Sequence, residues 1–144
     1  MAGVHLEITG LNPVKQVFNR LQSLDVNELL TDIGEAYHDD VLSRFDTEQA
    51  PDGTQWQASQ RAIDEGGKTL TDTAILRDSF HYEINGDQLL YGSSEVYAAI
   101  HNFGGDTGRR KSTKLPQREI IGLSAKQLRI IGDTATDFLN ELLP

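Results

Sequence analysis

The chain contains no cysteine, so disulfide frameworks, thiolate zinc sites and cysteine nucleophiles are excluded. Long hydrophobic runs are missing too: no stretch approaches the roughly 18 apolar residues that a membrane-crossing helix requires. Met1 to Gly10 carries neither a basic region nor an apolar run of signal-peptide length, which points to a cytoplasmic protein. Aromatic residues are few, at 7%, with Trp56 the one tryptophan. Apolar residues make up 38%, below the roughly 45–50% of ordinary globular domains. That composition implies a thin core with long polar connections, or a surface completed by partners. The 144 residues suit one domain, 1–144. A chain of this size buries roughly 70% of its unfolded surface and needs no metal or disulfide staple.

Signatures of chemistry are missing as well. The four histidines, His5, His38, His81 and His101, form no H-x-x-x-H or H-E-x-x-H pattern. In His38-Asp39-Asp40 helical neighbours point about 100° apart, so the three cannot converge on one ion. No G-x-S-x-G elbow is present. A phosphate cradle needs a glycine-rich loop leading from a strand into a helix. Gly104-Gly105-Asp106-Thr107-Gly108 leads instead into bases and Pro116. The expectation is a non-enzymatic protein with no cofactor and no metal.

What the chain does have is acid, unevenly spread. The net charge is −9, and residues 1–65 hold 12 acids against 4 bases. Arg109, Arg110, Lys111, Lys114 and Arg118 then cluster with no acid among them. An acidic body with one basic loop is dipolar, which suits head-to-tail contact between subunits. It equally describes a solvated loop. A third reading is a small nucleic-acid-contacting module using 109–118, since five bases can neutralise phosphates. The acidic body opposes that, and no aromatic residue in the cluster is available to stack bases.

Periodicity predicts an α+β chain: a small antiparallel sheet with amphipathic helices packed mainly on one face and long, partly irregular loops. Val4, Leu6 and Ile8 alternate with polar residues as in a short strand. Asn12-Pro13 predicts the cap and first position of a helix reaching about Leu24, with Val14, Val17, Phe18 and Leu21 on one face. Asn27 is placed to cap a second helix on which Leu29, Leu30, Ile33, Ala36, Tyr37, Val41 and Phe45 recur. Its outer face carries Glu28, Asp32, Glu35, Asp39 and Asp40, read as solvated. From about 46 to 73 the periodicity fails, and a mobile loop is expected around the Ala50-Pro51-Asp52-Gly53 turn and Trp56. Ala74–Ser79 reads as a helical turn. Asn85-Gly86 predicts a hairpin, and Val96–Phe103 a short helix ended by Gly104-Gly105. The basic loop 106–118 follows, expected to order when something binds it. Leu115-Pro116 opens an extended stretch to Ile121. Ser124 then caps a final helix with Leu128, Ile131, Ala135, Phe138 and Leu142 along one side.

The order of these landmarks resembles a known family. Phe45, Pro51-Asp52-Gly53 and Trp56 come first, then Leu76-Arg77-Asp78-Ser79-Phe80 ahead of the hairpin. Tyr97-Ala98-Ala99-Ile100-His101-Asn102-Phe103-Gly104-Gly105 is similar to a Y-A-x-x-H-x-F-G-G element. Leu115-Pro116-Gln117-Arg118-Glu119-Ile120-Ile121-Gly122-Leu123-Ser124 is similar to a P-x-R-x-[FI]-[LI]-G-[LI]-S element before the last helix. Together these resemble the phage virion-morphogenesis family, the tail-completion proteins of contractile-tailed and Mu-like phages and prophages. The motifs span about residues 40–144, and the layout fits earlier. The chain departs from the pattern at Ala74-Ile75, where a glycine or small residue is expected before Leu76.

The resemblance implies a structural protein in a ring or collar around the tail tube, completing the tail and supporting head–tail joining. Its implied partners are copies of itself and the tail tube, tail terminator or neck proteins, with DNA met only in an assembled channel. Its implied place is the virion tail or neck, after assembly in the host cytoplasm. The family supplies no catalytic residues. The interface candidates are Trp56, Arg109, Arg110, Lys111, Lys114 and Arg118, with Trp56 first a packing residue and Arg118 either a buried ion-pair anchor or an inter-subunit contact. Tyr97, His101, Gly104, Gly105 and Pro116 are structural candidates. The His101 ring is expected to bond backbone near the two glycines, which supply positive φ or close approach.

Overall fold

The computed structural model of the chain describes residues 5–7 and 9–143. Of the predicted opening strand, Val4 and Ile8 lie outside those residues, while His5–Glu7 has no regular structure. Helix α1 spans Asn12–Gln22 with Pro13 in its first turn. Its N-cap is Leu11, without a side-chain cap bond, so Asn12 lies inside the helix and does not cap it.

Helix α2, Val26–Thr47, is the spine of the molecule. Its cap is Asp25, whose carboxylate accepts from the Asn27 amide at 2.9 Å; Asn27 supplies that N–H and is not the cap. An aspartate two residues ahead of a free amide has the reach a cap requires. The helix ends at Glu48, held at φ 55°. Its carboxylate accepts from Thr69 N at 2.6 Å, tying the helix end to the far side of the next loop.

Segment 46–73 carries order of its own. Gln49 and Gln55 form a bridge, Gln60–Glu65 form α3 capped by Ser59, and Lys68 bridges Thr71. Thr69 is fully buried and its hydroxyl accepts from Ser59 N at 3.1 Å. Then come α4, Ile75–Ser79, and a hairpin of β1, Phe80–Asn85, and β2, Gln88–Ser93. Asn85 pairs with Gln88, so the two turn residues are Gly86 and Asp87, one step beyond the predicted Asn85-Gly86. Only Gly86 has positive φ, at 64°, as at the first central position of a type II′ turn.

Helix α5, Ala98–Phe103, leads into a second two-stranded antiparallel sheet of β3, Gly105–Thr107, and β4, Thr113–Leu115. The basic stretch is thus a hairpin, its tip a 3₁₀ turn at Arg109–Lys111. Helix α6, Ala125–Leu142, opens with a full Ser124–Gln127 capping box and packs along α2. Among the described residues the architecture is α+β, with six α-helices and two separate antiparallel hairpins.

The core is where α2, the Trp56 loop, α4, β1 and the segment after β4 meet. Tyr37, Val41 and Phe45 on one face of α2 pack with Trp56, Leu76, Phe80 and Ile120. Phe45 meets the Trp56 ring edge-on at 5.6 Å, and Tyr37 meets Tyr91 edge-on at 4.9 Å. Gly34 lets the hairpin lie directly on α2: a Cβ there would stand 2.7 Å from the Tyr82 ring.

Candidate assembly surfaces and the clasp behind them

Residues 116–124 form no helix or strand and bend at Ile121. Backbone polar groups that are buried must still find partners, and here side chains from distant elements supply them. Trp56 Nε1 donates to Glu119 O at 2.9 Å. The Asn102 side-chain oxygen accepts from both Ile120 N, at 2.8 Å, and Ile121 N, at 3.0 Å. Arg44 Nη1 donates to Ile120 O. The Tyr37 hydroxyl donates to Gly122 O at 3.0 Å and accepts from Gly122 N at 3.1 Å. Arg118 N donates to His101 O at 2.9 Å, closing the segment onto α5. Gly104 makes that closure possible: it sits at φ 71°, and a Cβ would fall 2.7 Å from Gln117 N. This clasp is what the residues of the two glycine- and proline-containing motifs build together.

Beneath the clasp lies a buried charge network. Asp40, on the α2 face read as solvated, is 7% exposed. It pairs with Arg44 one turn on, accepts from Gln127 Nε2 at 3.0 Å, and meets Lys126 Nζ at 3.0 Å. Asp40 therefore leaves the acidic face, because α6 lands on it. Burial pushes its carboxyl up, but hydrogen bonds from Gln127, Lys126 and Arg44, with the charge of Arg44, outweigh burial and hold it below the usual carboxylate range.

The candidate residues divide cleanly. Trp56 and Arg118 are each 5% exposed; Trp56 is locked by core packing, and Arg118 Nε donates to Gln57 O at 2.6 Å. Arg109, Arg110, Lys111 and Lys114 stand exposed on the β3–β4 hairpin, without an ion pair among the described residues. Lys114 lies opposite Asp106 in register. Tyr97 packs edge-on against His101, with ring centroids 6.2 Å apart. The His101 ring bonds no backbone near the glycines: its Nδ1 is buried without a partner. The glycines belong to the backbone closure, in which His101 takes part through its carbonyl. Burial and the nearby charge of Arg118 both lower the His101 pKa, favouring the neutral ring.

Three further sets of residues stand exposed. Glu28, Asp32, Glu35 and Asp39 are exposed on α2, an acidic strip away from the basic hairpin in sequence and sign. Helix α1 has no buried residue, and its apolar stripe includes Phe18 at 61% exposure. Phe103 at the end of α5, Leu123 in the segment before α6 and Val96 ahead of α5 are also exposed.

The family model for phage virion morphogenesis matches residues 9–140. The chain belongs to the phage virion morphogenesis family. A relative, Mu-like prophage FluMu G protein 2 of Haemophilus influenzae, is 25% identical over 142 residues, covering 97% of this chain and 99% of the relative. No solved structure matches the chain. The family match spans α1 through α6 and so includes the clasp, the basic hairpin and the acidic strip. A role in phage virion assembly follows from family membership. No described helix is long and apolar enough to cross a membrane.

The residues that sequence reasoning missed are Asn102, Tyr37 as a hydrogen-bonding group, and the Asp40–Arg44–Gln127 network. A signal existed for one pair. Tyr37, Val41, Arg44 and Phe45 share one helical face, so a charged residue within an apolar stripe marks a buried ion pair.

Proposed function

We propose that this protein is a non-catalytic structural subunit that completes the tail of a phage or prophage particle and supports head–tail joining, as part of a ring or collar. The observation that carries the reading is α1. An isolated 11-residue helix is marginal in water, since helices shorter than about 12–15 residues need tertiary packing. This one has no fully buried residue: Val17 is half-buried and Arg20 Nη1 donates to Leu142 O at 2.8 Å at the end of α6, while Val14, Phe18 and Leu21 stand exposed. Such a helix is stabilised by a partner that covers the stripe.

Opposite charge supplies the geometry. The acidic strip of α2 and the basic β3–β4 hairpin are different patches, so their contact between copies is heterologous and closes into a ring when the rotation permits. Exposed ion pairs contribute only ~0–1 kcal/mol each. They set register, while apolar contacts such as that of α1 supply affinity. The tail tube, tail terminator and neck proteins are the other partners this reading assigns.

The test is native mass by light scattering over a concentration series at low and moderate salt. A defined multimer, or association that grows with concentration and weakens with salt, is the expected result. A salt-insensitive monomer at high concentration, unchanged by mixing with tail-tube protein, overturns the reading and makes a DNA titration the next step.

A further inference from the structure

A cleft of about 330 Å³ opens between the start of α3, the loop entering α4, and α5. Its walls are largely apolar, from Leu70, Ile75, Leu76 and Leu115, and at its edge stand Tyr97 and His101. Arg118 also lines it. Arg118 as a residue is 5% exposed, its Nη groups meet only the open cleft, and among the described residues it has no carboxylate partner. Its one side-chain hydrogen bond there runs from Nε to Gln57 O, which leaves the two Nη groups uncommitted.

A charge largely withdrawn from water and left without a counter-ion is costly, and a bound anion offsets that cost. Arginine cannot escape by losing its proton. The same chain treats its other buried arginine differently: Arg44 has Asp40 and Ile120 O. The acid that lines the cleft, Asp72, pairs at 3.8 Å with Arg61, the other arginine of the lining, and not with Arg118. The His101 Nδ1 beside it lacks a partner as well.

We infer that this cleft is a binding site for a carboxylate carried on an apolar side chain or a short peptide, with the Arg118 guanidinium as its counter-ion. Two free Nη groups match the two oxygens of a planar carboxylate. The aliphatic walls accept the body that carries it. Arg61, also on the lining, is engaged by Lys68 O and Asp72, so one uncommitted guanidinium beside a carboxylate disfavours a doubly charged phosphate. The bound negative charge offsets that of Arg118 and raises the His101 pKa towards its ordinary value. The site stands whether or not the tail-completion reading holds.

The test uses the whole ¹⁵N-labelled chain, with N-acetyl-leucine as probe and N-acetyl-leucinamide as its uncharged counterpart. Proton–nitrogen NMR follows the Arg118 Nε–Hε resonance and the His101 ring. N-acetyl-leucine shifts both saturably, in the millimolar range, and raises the His101 titration midpoint, while the amide does neither. Arg118→Gln abolishes the response. Because that change also removes the Gln57 bond, Ile75→Glu on the exposed rim serves as a second variant: it keeps the amide spectrum and weakens binding at least tenfold. Equal shifts from the amide, no saturable shift, tighter binding of inorganic phosphate, or unchanged affinity in Ile75→Glu overturns the proposal. A dilution series without probe separates the sources. A concentration-dependent Arg118 shift that N-acetyl-leucine competes away assigns the carboxylate to a second copy, and its absence, with the probe still binding, assigns it to another molecule.

Discussion

Asp40 shows how much of this subunit rests on single side chains. Three donors from two helices converge on it, and removing one member of a buried pair costs about 3–5 kcal/mol. Asp40→Ala is therefore expected to lower stability by about 3 kcal/mol, read as a displaced urea midpoint at neutral pH. The folded carboxyl sits below its ordinary value of 3.8. Its contribution is thus fully present above that value and is lost as pH falls through the lower folded one. The gap between wild type and variant should hold from pH 7 to 5 and close as acid protonates the group. A gap that widens on acidification contradicts this account. Asn102→Ala strands the buried Ile120 N–H and the half-buried Ile121 N–H, and the buried one costs about 1–3 kcal/mol; thermal unfolding of the purified subunit measures the loss. Little of this was legible. An asparagine beside His101 and an aspartate among other acids look like surface residues until the fold brings α6 and the segment before it onto them.

At the scale of elements, α2, α6 and the β1–β2 hairpin were readable because periodicity and turn chemistry are local. The errors are local too. The caps of α1 and α2 fall one and two residues before Asn12 and Asn27, since Leu11 and Asp25 occupy those positions. Segment 46–73 gives no periodic signal because its order comes from single ties, such as Glu48 to Thr69. Of the stretch 115–121, read from sequence as extended, Leu115 closes β4, residues 116–120 have no regular structure and Ile121 is a bend; beyond one backbone bond to His101 its partners are side chains, which no strand pattern announces. Trp56→Ala tests this element directly. It opens a cavity between Phe45 and the clasp and removes the donor to Glu119 O, so a loss of about 3–5 kcal/mol is expected, measured by denaturant titration. A change under about 1 kcal/mol contradicts the packing role. On the β3–β4 hairpin the expectation is opposite. Arg109, Arg110 and Lys111 are exposed and unpaired among the described residues. Reversing all three to glutamate should leave the monomer within about 0.5 kcal/mol per site while weakening self-association in sedimentation runs.

The whole molecule is polarised. A net charge of −9 keeps copies apart at long range, and the basic hairpin is the place where approach is favoured. Screening acts over about 8 Å at physiological ionic strength, so salt should weaken a hairpin-led contact while it relaxes the general repulsion. Mass should therefore fall from low to moderate salt for wild type, where the hairpin contact dominates, and rise steadily for the charge-reversed hairpin. A steady fall for both excludes a contact led by the hairpin.

The clasp also sets an order of events. Its ties reach back 63 residues from Glu119 to Trp56, 76 from Ile120 to Arg44 and 85 from Gly122 to Tyr37. Contacts so far apart in sequence form late, because the intervening chain must first be ordered. During synthesis the core stays open until the ribosome has released residues beyond Gly122, when most of the protein is already outside. The aromatic face of α2 is thus made long before Ile120, which covers it, and a new chain gains the closed form only as the segment before α6 emerges.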